Sequence, residues 1–246
     1  MGRVRLSVIA LCACIAIAAT ALITRIAVQE APSGSAFDQK QVFAAFREIV
    51  MSSAPLTDST TGRTTLITKW DSTVPVFVSV NLPMELRSHV KRFNDFWDEY
   101  TYAQVSNADM QTAKGFGIRV LHLDPKNPGK DAKRIAERYR PGSGNADAVF
   151  TGLQSRPCAM LTWTDRGYLE QVDILTNSAF PTPQVLDCLD RMLARSLGIL
   201  QPDKALARYP EAETLHAAQK ALALMLYHPK VEPFMSLEQV QAAVAN

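Results

Sequence analysis

The chain reads as an α+β domain: a mixed sheet packed with helices and followed by a helical C-terminal segment. Three observations carry that reading. Apolar and other residues alternate with period two at residues 74–80 and again at 117–123 (GIRVLHL), the pattern of half-buried strands. Residues 158–164 and 168–175 are two further strands joined by Asp165-Arg166-Gly167, a short turn with glycine at its end, so they form a hairpin. Apolar residues also recur at spacings of three and four, in Leu82, Leu86, Val90, Phe93 and Trp97 and again in Leu186, Leu189, Leu193 and Leu197. That is the buried stripe of an amphipathic helix.

The elements follow in order. Arg3 and Arg5 precede an apolar run that opens at Leu6 and closes at Ile23, which reads as an export signal. Its residues would span about 27 Å as a helix, near the thickness of a bilayer core, so the run suits an uncleaved anchor as well. Ala19-Thr20-Ala21 offers a small-x-small cleavage site, while Cys12 and Cys14 follow too short an apolar stretch for lipidation. Residues 1–27 are thus a signal peptide or membrane anchor, residues 28–65 a linker and short helix, and residues 66–246 the α+β domain. Both readings of the N-terminus leave the body in the periplasm, soluble after cleavage or held to the inner membrane through the span from Leu6 to Ile23.

Within the domain, Phe43, Phe46, Ile49 and Val50 mark a first helix, and residues 51–63 are turn-like. Asn81 is placed to cap the helix that follows the first strand. Residues 124–157 are the least regular stretch, with a short basic helix near 132–139 and a GSGNAD loop that follows a helix rather than a strand, unlike a phosphate loop. Thr182 and Pro183 suit the cap and first turn of a long helix that Gly198 stops. Residues 212–227 form another helix, and Ser236 with Gln239 makes a capping box for the last one.

Charge excludes one class of partner. The chain has 26 basic and 24 acidic residues, but Arg3, Arg5 and Arg25 belong to the signal; without them the body has 23 against 24, a net charge of about −1. A domain with no basic excess lacks the electrostatic footprint of a nucleic-acid binder. Only Cys158 and Cys188 lie in the exported body, where an oxidising compartment favours a disulfide between them. The rival role, as soft metal ligands, lacks a second Cys or His at zinc-ligand spacing.

The helix around CLDRMLARSLGIL (188–200) raises a sharper question. Strand, helix, strand, irregular excursion, strand, strand, helix is the order of a zincin metalloprotease upper domain, in which the last helix holds the metal. Laid on the chain with its glycine at Gly198, the pattern HExxHxxGxxH puts Arg191 at the first ligand, Met192 at the general base, Arg195 at the second ligand and Gln201 at the third. Guanidiniums repel a cation and do not deprotonate in a protein, so no catalytic or metal residue is assigned and no cofactor is expected. The plain account puts Arg191 and Arg195 on a solvated face, with Asp187 and Arg191 as an i,i+4 ion pair; the sharper one makes Asp187, Arg191, Arg195 and Gln201 a vestigial cleft facing an acidic partner.

Arg156-Pro157-Cys158, Cys188-Leu189 with Leu197-Gly198, and Leu226-Tyr227 with Pro229 and Met235 are similar to a family of uncharacterised exported bacterial proteins, domain of unknown function 2927. Its members usually carry glutamates and a glutamine where this chain has Arg191, Met192 and Arg195, and tend to have Asp in place of His228. The resemblance covers a third to a half of the chain. It implies a degenerate zincin-like α+β fold with a disulfide pinning helix to strand, and no known activity. The functional expectation is a non-catalytic envelope protein, a pseudoenzyme that binds another envelope protein or a polymer. The alternatives are a hydrolase of unidentified mechanism, with His122 and Asp124 as its candidate pair, and an accessory subunit of a membrane complex.

Overall fold

The computed structural model describes residues 39–51, 56–57, 62, 64–65, 67–105, 116–124, 151–199 and 212–244. The predicted signal or anchor, most of the linker, the basic helix near 132–139, the GSGNAD loop and Gln201 lie outside them. Among the described residues no helix is long and apolar enough to cross a membrane.

The elements are α1 (Gln39–Ile49), β1 (Leu56–Thr57), β2 (Thr64–Thr65), β3 (Val74–Val78), α2 (Met84–Phe96), β4 (Thr101–Val105), β5 (Gly117–Leu123), β6 (Cys158–Asp165), β7 (Tyr168–Asn177), α3 (Thr182–Ser196), α4 (Ala212–Leu226) and α5 (Leu237–Val244). The fold is α+β, with a five-stranded mixed sheet in the order β4-β3-β5-β7-β6 and a separate ribbon of β1 and β2. β4, β3, β5 and β7 run parallel to one another, and β6 runs antiparallel to them, paired with β7. Parallel neighbours need a crossover, which α2 supplies between β3 and β4. The antiparallel pair needs only a tight turn. Arg166 and Gly167 both take positive φ, 51° and 84°, the two-residue geometry that matches the right-handed twist of a hairpin.

Both faces of the sheet are buried. Ile118 and Val120 of β5 with Val172 and Ile174 of β7 join the main core, where Val185, Leu189 and Leu193 of α3, Leu86 and Val90 of α2 and Phe46 of α1 also pack. Leu121, Leu123, Leu161 and Leu175, on the other face, form a smaller core with Leu153.

Four expectations change in detail. β4 was not foreseen; it is a short edge strand whose letters, TYAQV, give little alternation to read. Asn81 does not cap α2: the chain turns at 79–82, with Leu82 N–H donating to Ser79 O at 3.0 Å, and the helix opens after Pro83 without a side-chain cap. Arg87 fastens that turn instead, its Nε donating to Leu82 O at 2.8 Å. In α3, Pro181 holds the N-cap position and Thr182 is already helical. Ala194, which is not part of the leucine stripe that the spacing picks out in this helix, is 8% exposed and belongs to the main core. The capping box of α5 does form: Gln239 N–H donates to Ser236 Oγ at 3.3 Å and Ser236 N–H to Gln239 Oε1 at 2.7 Å. Gly198 ends α3 at φ 89°, where an added Cβ would strike the carbonyl of Thr68.

Candidate functional site

The edge strand β6 and helix α3 are joined covalently. Cys158, the first residue of β6, and Cys188, midway along α3, form a disulfide with their Cα atoms 6.0 Å apart. Both are buried. The approach to this staple is set by Asn177 at the end of β7, which is fully buried. Its Nδ2 donates to Leu153 O at 2.7 Å and Arg156 O at 3.1 Å, and its Oδ1 accepts from Ala179 N–H at 2.8 Å. One amide thereby fixes both the loop that leads into β6 and the turn that leads into α3.

Between these elements lies a cleft of about 470 Å³, whose walls include Arg156, the disulfide, Met160, Arg191, Met192 and Arg195. The helical period explains the grouping: 188, 191, 192 and 195 fall on one face of α3. Of the four sequence-selected cleft residues, Arg191 and Arg195 are in this wall. Asp187 stands one turn away with its Oδ2 2.8 Å from Arg191 Nη2, as an i,i+4 pair. Gln201 lies outside the described residues. Arg191 and Arg195 are therefore partly buried against β6 and the loop before it, while the ion pair of the plain account is present as well.

Arg195 sits in the last turn of α3, where a cation favours the helix end by about 0.3–1 kcal/mol. Its Nε is buried without a hydrogen-bond partner. A buried donor left unsatisfied costs about 1–3 kcal/mol, a cost carried here at the end of α3. A zinc ion does not fit: two guanidiniums and a thioether offer no anionic or imidazole ligand. Among the described residues no three His, Cys, Asp or Glu side chains gather at metal-binding distance.

The histidines occupy other places. His122 of β5 faces Thr176 of β7, its Nδ1 2.9 Å from Oγ1, and that hydroxyl donates to Leu121 O at 2.9 Å. The hydroxyl hydrogen is thus committed, and Nδ1–H must be the donor to Oγ1. Burial pushes the His122 pKa below its ordinary value. Asp124, two residues on, is exposed. His89 of α2 bridges to Asp190 of α3 through Nε2, and Arg92 is 3.0 Å from its Nδ1, which ties the two helices together.

A second polar group was missed in the sequence. Arg119 of β5 and Asp173 of β7 are register partners and form a two-pronged ion pair, 4% and 0% exposed, on the sheet face that carries Leu121 and Leu175. Gln171 Nε2 donates to Asp173 Oδ2 at 3.0 Å. The available signal was a lone cation in GIRVLHL and a lone anion in the otherwise apolar centre of 168–177, since a charge inside a buried strand needs a partner. Lys69, also buried, donates from Nζ to Val231 O at 2.6 Å, and Trp70 Nε1 donates to Ser196 O at 2.7 Å, so the segment before β3 locks the end of α3.

Comparisons with family models, with curated proteins and with solved structures find no match to this chain.

Proposed function

We propose that this is an exported envelope protein with a degenerate zincin-like scaffold, a relative of the domain of unknown function 2927 family, that binds another protein or an envelope polymer without catalysing a reaction. One observation carries the reading: the wall of the cleft between β6 and α3 includes Arg191, Met192 and Arg195, the residues that fall on ligand and base positions when the zincin motif is laid on the sequence with its glycine at Gly198. The order β3, α2, β5, β6, β7, α3 follows the element order of a zincin upper domain, which supports the scaffold assignment. β4, inserted between α2 and β5, extends the sheet at the opposite edge and leaves the cleft unaltered.

The chemistry of the wall favours binding over turnover. Hydrolysis by a metal needs a bound water and a carboxylate to take its proton. Here the helix face offers positive charge, a flexible thioether and a disulfide, which hold a ligand and transfer no proton. Purified protein incubated with zinc and a broad peptide library tests this: stoichiometric tight zinc, or peptide cleavage abolished by a chelator, refutes it. For the envelope location, N-terminal sequencing of the mature protein separates a start at or after Leu22, expected for cleavage, from a start at Met1, expected for an anchor.

A further inference from the structure

We infer that the cleft between β6 and α3 receives an acidic polypeptide segment, with Arg195, Arg156 and Arg191 taking a side-chain carboxylate; the inference rests on the non-catalytic reading above and specifies its ligand. Three features of the cleft lead there.

The first is the donor chemistry of the wall. Arg195 lines the cleft beside Arg191 and Arg156, and guanidinium N–H groups are strong donors that match a carboxylate in pairs. The second is charge. Three guanidiniums line the cleft and no carboxylate does so among the described residues; Asp187 lies outside the wall and offsets part of Arg191. A concave site walled by one sign of charge focuses its field on ligands of the other sign.

The third is the neighbouring backbone. β6 is the last strand of the sheet, so among the described residues no strand pairs with its outer edge. An extended peptide can add to such an edge through main-chain hydrogen bonds, with side chains at alternate positions reaching the sheet's neighbours. Met160, Met192 and the disulfide provide apolar contact beside the arginines. A small inorganic anion would use the charge alone; an acidic peptide uses charge, apolar wall and strand edge together. The cleft volume, about 470 Å³, is that of a ligand site and accommodates a few residues of such a segment.

The test compares labelled peptides of about ten residues, long enough for one strand, by fluorescence anisotropy on the full-length protein. One alternates Glu with Ala, and the other alternates Gln with Ala. The acidic peptide is expected to bind at least about tenfold more tightly, the scale of a charge-assisted hydrogen bond, with the advantage fading at high salt. Arg195→Gln should remove about tenfold of that affinity. Asp187→Asn should raise it severalfold by freeing Arg191, a gain that a folding defect would not produce. Equal affinity for the two peptides, or unchanged affinity in Arg195→Gln, overturns the inference while leaving a non-catalytic cleft. Displacement of the acidic peptide by polyphosphate at equal charge concentration, with higher affinity than the peptide, overturns the choice of a polypeptide. Failure of both peptides to bind overturns the inference as well. Cleavage of either peptide in a chelator-sensitive manner instead overturns the functional reading beneath it.

Discussion

Removal of the Cys158–Cys188 bridge is the perturbation whose size follows most directly from the structure. The bond closes a loop with a sequence separation of 30 residues. In the chain-entropy description, such a closure raises the free energy of the unfolded state by about 3.6 kcal/mol at 25 °C. For a folded unit that spans Gln39–Asn246, each kcal/mol moves Tm by about 2–4 °C, so reduction should lower Tm by about 7–14 °C. The rest of the α3 interface survives, because Leu189 and Leu193 remain buried against the sheet. Loss of stability is therefore expected without loss of fold. Thermal unfolding followed by circular dichroism, with and without reductant, measures the shift, and a Cys158→Ala/Cys188→Ala variant should match the reduced protein and be insensitive to reductant. A shift below about 2 °C would refute the reasoning, since it would mean that the free chain is already as constrained as the bridged one.

Asp173→Ala should cost about 3–5 kcal/mol in urea unfolding because it strands Arg119, while Arg119→Met with Asp173→Leu should recover most of that loss. Ser236→Ala should cost about 1 kcal/mol by the same measurement, through loss of the cap on α5. Burial, reinforced by Glu99, pushes the Tyr100 pKa up to about 12. An unfolded tyrosine ionises near pH 10, so this contribution to stability is complete below about pH 10 and is lost as pH rises towards about 12; ultraviolet titration of Tyr100→Phe against the parent should show one fewer late-ionising tyrosine. Burial lowers the pKa of His122, so its contribution is present above about pH 6.5 and is lost as pH falls through the folded value. The ring resonances of His122 should titrate at lower pH than 6.5 by NMR.

The parts of the fold that local chemistry specifies were legible. Gly167 marks the hairpin because it takes positive φ without the Cβ penalty that Arg166 bears beside it, and the stripe in α2 sets its buried face through Leu86 and Val90. Parts fixed by tertiary context were hidden. β4 is a strand because β3 offers it an edge, and Asn81 does not cap because the Ser79 turn delays the helix. The pairing of Arg119 with Asp173 joins residues 54 apart in sequence, a distance over which no periodicity speaks. At the site, the helical spacing of 188, 191, 192 and 195 already grouped one wall. Arg156 was noticed only as part of a family resemblance, because its place depends on Asn177 holding its carbonyl.

β7 has a further consequence, for the order of assembly. Within the five-stranded sheet, among the described residues, β7 is the strand that pairs on one edge with the parallel strands, through β5, and on the other with β6. A ribosome releases the chain from its N-terminus, so β3, α2 and β5 emerge before the strand that completes their second face. Pairings this distant in sequence form slowly. The nascent protein must therefore keep the apolar side chains of β5 from aggregating until residue 177 has appeared, and any truncation ahead of that residue should leave an insoluble fragment.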